Sequence, residues 1–342
     1  INGLSFLYPV IPSIPVKRIG GWRGFGHLFT EKPWSAIGPI SMSFYPFVIG
    51  LGFLMPLDLA FSSWFFFIFH KMELVASCAV GINVRGFPFY DEQCFGAAIG
   101  IFLFLLIRGR RYLIETFRSV YKLSTLGLIL GLAYLTFFSI RIGMSPWLIP
   151  LLFGFHLIIL IFITRMRAEL GFPVHAMENM SPHNVIVRLI GTRALGKDNL
   201  IAISIYRWFN RSFTSNPMPH QMEGFKLADM AGIDVRKLFL GIMSMIVFGS
   251  LATFWMILHL FYKFGAVRGG GWATGFGWRV FNGLQRWLYY PSSPGYGPAM
   301  GVLWGFLFSV ILMILRSRFF WWPLHPLGFV ISSDWGMRYL WS

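Results

Sequence analysis

The sequence predicts an all-α fold, a polytopic bundle of membrane helices in which at least one helix is broken by proline and glycine. Three observations carry that expectation. Hydrophobic residues make up 56% of the 342 and charged residues only 12%, where a soluble domain carries about a quarter charged residues. Mean hydropathy is +0.63. Apolar runs recur at about 43–69, 91–107, 124–140, 146–164, 238–262 and 296–315, each near the ~20 residues a helix needs to cross a bilayer. A re-entrant piece or seventh span is expected over 319–342, which holds Pro323 and Pro326. Residues 1–342 read as one integral membrane domain in the plasma or inner membrane.

The first run organises the chain. Ser43 to Phe69 is 27 residues of almost unbroken apolar character, interrupted by Pro46, Gly50, Gly52 and Pro56. Pro56 lacks a backbone donor and clashes with the preceding turn, so the helix should break there. Irregular backbone at membrane depth is tolerated only against protein or a water-filled cavity. Asp58 follows the break, and an intramembrane carboxylate is costly unless it is paired or used. Two readings stand: a substrate or ion site built on Gly50, Gly52, Pro56, Asp58 and Ser62, or a kink with Asp58 capping the helix. Ser62, four residues on, shares the face of Asp58.

After Phe69 the charges His70, Lys71 and Glu73 mark the end of the span, and a loop to Gln93 is expected, with Glu73, Asp91 and Glu92 solvated at the boundary. The two cysteines, Cys78 and Cys94, form either a disulfide or two unrelated buried thiols. The second span is expected to continue as a basic amphipathic helix, Arg108 to Lys122, lying on the membrane surface. His156 falls in the middle of the fourth span and His259 late in the fifth; each is either a hydrogen-bonded structural residue or part of a polar site. The fourth span ends in Arg165, Arg167 and Glu169, where Arg165 and Glu169 are spaced for a local ion pair.

The stretch Arg165 to Lys237 is the one long polar segment, read as a cytoplasmic loop with short surface helices and a turn-rich middle over Ser215 to Gly224. The Gly/Trp-rich run Arg268 to Trp278 is expected as a loop. If the first span leaves the cytoplasm, most Lys and Arg fall on the inner side. The formal charge of +16 is scattered between apolar spans, which suits anionic lipid and not a nucleic-acid groove. No phosphate loop is present, and His175, Glu178 and His183 lack the H-E-x-x-H zinc spacing. G-x-S-x-G is absent as well. No cofactor, metal site or catalytic residue is expected. Ile1 at the start and the half-apolar end at Trp341-Ser342 give the expectation of a fragment of a longer chain.

The run TRMRAELGFP resembles the segment R-x-R-A-E-x-G-x-P of the oligopeptide transporter family, including its yellow-stripe-like branch. Met222 to Met245 is similar to that family's charged turn and following membrane helix, with Lys226, Asp229 and Arg236 in place of its glycine-threonine and proline-arginine chemistry. YPFVIGLGFLMPLDLAFSSW resembles its broken helix. The C-terminal FFWWPLHPLGFVISSDWGMRYLW resembles an uncharacterised bacterial and archaeal membrane family, and the chain is closer to that family than to peptide transporters. The resemblance implies a secondary, proton-coupled transporter of peptide-like or metal-chelate small molecules, working by alternating access. Asp58, Ser62 and His156 would then bind substrate or ion, and Arg165, Arg167 and Glu169 would gate or anchor on the cytoplasmic side. Its partners would be membrane lipid, a small-molecule substrate, and a second copy or missing half of the chain. Two other readings remain: a non-transporting membrane scaffold, and an intramembrane enzyme acting on lipid.

Overall fold

A computed structural model describes residues 8–12, 24–82, 84, 86–119, 122–170, 176–210, 212–214, 216–266, 271–334, 336–337 and 341. They form fourteen α-helices and no strands. Five helices are long and apolar enough to cross a membrane: Leu57–Val80, Tyr90–Arg108, Leu148–Ala168, Val235–Phe264 and Tyr296–Arg318. This is a multi-pass membrane protein. The single domain expected from the sequence divides into two compact units, one of residues 1–111, 170–180 and 296–342, the other of 112–169 and 181–295.

In the first unit α1 (Pro46–Phe53) and α2 (Leu57–Val80) are separated at Leu54, Met55 and Pro56, with Pro56 extended at ψ 133. The break therefore falls where the proline demands it. The span does not end at Phe69, however. It starts after Pro56 and runs through His70, Lys71 and Glu73, because each of those charges is satisfied inside the fold. Lys71 Nζ donates to the carbonyls of Ile37 (3.0 Å) and Pro39 (2.9 Å), and His70 bonds Glu73 one turn away.

Helices α3 (Tyr90–Arg108) and α13 (Tyr296–Arg318) make the closest packing of this unit. A Cβ on Gly96 would lie 1.9 Å from the Val302 carbonyl oxygen, and one on Gly305 would lie 1.7 Å from that of Gln93. Gly96 and Gly100 on one helix face Gly297, Gly301, Gly305 and Ser309 on the other, the small-xxx-small spacing that lets membrane helices approach backbone to backbone. Over 319–342, where a re-entrant piece or seventh span is expected, the described helix is α14 (Pro326–Ile331), six buried residues. It is far too short to cross and instead packs Phe329 edge-on against Phe66, with centroids 5.2 Å apart.

Basic residues 110–119 form a separate helix, α4 (Arg110–Ser119), after a break at Gly109. In the second unit α5 (Lys122–Arg141) is a shorter apolar helix over its described part, and α6 (Leu148–Leu170) is a full-length span. Met144, Leu148 and Leu152 form a core with Ile186 of α7 (Pro182–Ile190) and Leu200 and Ile203 of α8 (Thr192–Ile205). α9 (Arg207–Asn210) follows. The loop expected over 215–224 is mostly helix, α10 (Pro217–Ala231). Pro217 sits at its first turn, where no backbone donor is required, and Asn216 caps it by accepting from the Met218 N–H at 3.0 Å. α11 (Val235–Phe264) is apolar all round and has no buried residue, as befits a lipid-facing span. The Gly/Trp-rich loop expected to Trp278 is helical from Gly271, as part of α12 (Gly271–Tyr289). Val280, Leu284 and Trp287 of α12 share one face, and their burial outweighs the cost of glycine in a helix.

Candidate functional site

The buried face of α2 reads Ser62, Phe66 and His70 at helical spacing, and Glu73 lies one turn further. His70 Nδ1 is 3.0 Å from Glu73 Oε2, with the two side chains 8% and 18% exposed. The first turn of α3 comes against this pair. Asp91 and Glu92 suit the positive end of that helix. Phe89, at a left-handed φ of 61, starts the helix. That conformation is uncommon for a bulky residue, and the Phe89 ring packs over Gly297, where a Cβ would come within 2.4 Å of it.

Gln93 Nε2 donates to the Pro88 carbonyl (2.8 Å) and to Glu73 Oε1 (3.4 Å). Cys94 Sγ is 3.7 Å from His70 Nε2 and donates to the Phe329 carbonyl at 3.3 Å. The network thus joins α2, α3 and α14. It accommodates two protonation states. A neutral imidazole donates from Nδ1 to Glu73 and turns Nε2 to the thiol; an imidazolium donates from both nitrogens, forming an ion pair with Glu73.

Two cavities flank the pair. One of about 640 Å³ is lined by Glu73, Gln93, Val80, Phe89, Met300 and Trp304, among others. The other, about 310 Å³, is lined by Ile37, Phe67, His70, Lys71, Tyr90 and Ser333, among others. Glu73 lines the first and His70 the second. The hydrogen bond between the two side chains therefore joins one cavity wall to the other.

The residues singled out from sequence lie elsewhere. Asp58 is in the first turn of α2, where its Oδ1 accepts from the Leu59 N–H (2.9 Å) and its Oδ2 lies 2.6 Å from Arg316 Nη1 of α13. A cap and an ion pair account for its charge, and none of these cavities is lined by it. Because the pair is 39% and 32% exposed, Asp58→Asn should lower stability by no more than about 1 kcal/mol, read as a small shift in thermal unfolding.

Ser62 is structural in a different way. Its hydroxyl donates to the Asp58 carbonyl and accepts from the His325 N–H at 2.6 Å, tying α14 to α2. His325 caps α14, its Nδ1 accepting from the Leu327 N–H at 3.1 Å. Burial, with Arg316 adding to it, pushes its imidazole down to about 4 and keeps it in the neutral form that this cap requires. Gly50 and Gly52 face open space, and Pro56 is exposed.

In the second unit His156 packs against Phe209 and Phe213, with centroids 5.0 and 5.3 Å away. Arg167 pairs with Glu223 of α10 through Nε and, at 3.5 Å, through Nη2. Arg165 is exposed, and the Glu169 side chain lies outside the described residues, as do Gly171, Phe172 and Pro173 of the same motif and His175. Arg167, Met222, Glu223 and Lys226 line a cavity of about 520 Å³.

His183 is 1% exposed, and neither ring nitrogen has a hydrogen-bond partner. Burial, then Arg207 and Arg188, push its imidazole down to about 3. An unfolded histidine titrates near about 6.5, so below that pH the unfolded chain takes up a proton that the folded chain refuses. Stability is then lost as pH falls from about 6.5 towards 3, by about 2 kcal/mol from this group near pH 5. His183→Leu should remove this share of the acid loss, visible as a flatter dependence of the unfolding temperature on pH.

Sequence reasoning passed over His70, Glu73, Gln93 and Cys94. The signals were available: the i,i+3 spacing of His70 and Glu73, and the glycine repeats that press α13 against the first turns of α3. Cys78 and Cys94 are both free. Glu92, expected to be solvated, is 2% exposed. Among the described residues no group of three or more His, Cys, Asp or Glu is placed to hold a metal ion.

Fold and site together define a multi-pass α-helical membrane protein with a titratable polar network between two of its spans. The chain belongs to a family of unknown function, DUF6785, which matches residues 1–342. No curated protein and no solved structure matches it.

Proposed function

We propose that this protein is a secondary, proton-coupled transporter of small organic molecules in the plasma or inner membrane, working by alternating access. One observation carries the reading. His70, buried, and Glu73, half-buried, form an acid–base pair inside a span, and each lines a different cavity. Ionisable residues within membrane helices mark proton relays and substrate paths. Coupling at Asp58 gives way to coupling at this pair, because Asp58 is held by its cap and by Arg316. Around the imidazole stand Lys71 and Glu73 from α2 and Tyr90 and Cys94 from α3, while Asp91 and Glu92 bring negative charge to the neighbouring thiol. Ser333 and Asp334 follow α14. The resemblance to oligopeptide transporters adds a peptide-like cargo as the first to try.

The test is uptake into proteoliposomes of the purified chain across an imposed pH gradient, with a mixed peptide pool outside and a pH-sensitive dye inside. Cargo-dependent proton movement is expected. Its absence with folded protein would overturn the carrier and favour a scaffold, which needs no coupled flux.

A second reading is favoured by one detail. Cys94, His70 and Glu73 stand in the order nucleophile, base, carboxylate, which suits an intramembrane enzyme acting on lipid. The thiol, however, is wholly buried and donates to Phe329. Cys94→Ser should leave proton-coupled uptake intact; an enzyme would lose its activity with that change.

A further inference from the structure

We infer that the 640 Å³ cavity beside Glu73 and Gln93 binds a monocationic amphiphile, a primary ammonium group on an apolar body. The inference rests on the carrier reading only for what happens after binding. The cavity is of the size that takes small organic ligands. Val80, Phe87, Phe89, Met300 and Trp304 supply apolar walls, so the body of the ligand must be hydrophobic.

Apart from the Trp304 indole N–H, the polar side chains in the wall present acceptors. Gln93 is 3% exposed. Its Nε2 spends its donors on Pro88 and Glu73, and that fixes the orientation of the amide, because the flipped form would set oxygen against two oxygens. Gln93 Oε1 is left buried with no partner. Ser77 donates to the Leu74 carbonyl at 2.8 Å, which leaves its lone pairs as what it offers a ligand. Glu73 adds carboxylate oxygens.

A buried acceptor without a partner is costly, and a carboxylate beside it selects charge. An ammonium brings three donors and a positive charge, and it answers the Glu73 carboxylate on the cavity wall. An anion meets the like charge of Glu73, with the Trp304 indole N–H as the one side-chain donor to set against it. A neutral alcohol satisfies one acceptor and leaves the charge unanswered. The face of Trp304, on the same wall, is a further favourable surface for a cation.

The experiment is equilibrium binding of phenylbutylamine and of its alcohol analogue, phenylbutanol, to the purified full chain at one pH, without a gradient. The amine should bind at least about tenfold more tightly, as charge-assisted hydrogen bonds are roughly twice as strong as neutral ones. Glu73→Gln should erase the difference. Ala76→Trp, a change at an exposed position on the cavity wall, should weaken both ligands and remains informative if the first variant does not fold. Equal binding of amine and alcohol to the wild type, or amine binding untouched by either variant, would overturn the inference. Amine binding without proton-coupled flux would sink the carrier and leave this site standing. Flux of other cargo with no amine preference would do the reverse.

Discussion

Glu73→Gln should reduce gradient-driven uptake to background while the protein stays folded. The amide has nearly the shape of the carboxylate: its oxygen can still accept from Gln93 Nε2 while its NH2 donates to Nδ1 of a neutral His70 in the other tautomer. What it loses is the ability to hold a negative charge and to take up and release a proton. Stability should change little, because replacing one buried hydrogen-bonding group by another of the same shape keeps its partners satisfied. His70→Gln should behave in the same way, since either substitution removes one member of the acid–base pair that joins the two cavity walls. Asp58→Asn is the control within the same helix: its carboxylate is tied to Leu59 and Arg316, so uptake should survive. The measurement is proton-coupled uptake by the three variants and the wild type at matched reconstitution. Loss at Asp58 together with retention at Glu73 would return the coupling site to the break at Pro56.

The helical membrane class was legible because composition and run length decide it, and the break at Pro56 was legible because proline leaves the chain little choice. The end of the first span was not. Lys71 looks like a boundary charge until its ammonium is seen against carbonyls of Ile37 and Pro39, more than thirty positions earlier in sequence, and no local pattern announces that. The same holds for Ser62, whose face was read correctly but whose partner, the His325 N–H, arrives from the far end of the chain. The helix at Pro217 is a different case. Proline, asparagine and glycine read as turn formers, although Asn-Pro is also a helix start. The site itself, His70 with Glu73, is present in the sequence as an i,i+3 spacing, but charges after an apolar run read as the end of a span. Burial reversed that, and burial here depends on how close α13 can come to α3.

That approach gives the largest expected effect on stability. Gly305→Ala adds a single carbon, but the carbon would lie 1.7 Å from the Gln93 carbonyl oxygen and 2.4 Å from its carbon. These are backbone atoms and cannot rotate away. Alanine is the better helix former by about 1 kcal/mol, yet overpacking a tight interface costs about 1–3 kcal/mol and sometimes more, so the clash should win. Leucine at the same position should prevent the two helices from packing at all. Gly249→Ala in α11 makes the comparison clean, because a Cβ there meets nothing within 4 Å. The same substitution should then be neutral or stabilising by up to about 1 kcal/mol. Thermal unfolding of the two variants in one detergent reads the opposite signs directly. Equal small shifts would mean that α3 and α13 do not meet through their glycines. A large loss at Gly305 alone would carry a functional consequence as well. The displaced atoms belong to Gln93, so the helix contact that sets stability also sets the position of the amide beside Glu73, and the spacing of the glycines becomes a condition for the site.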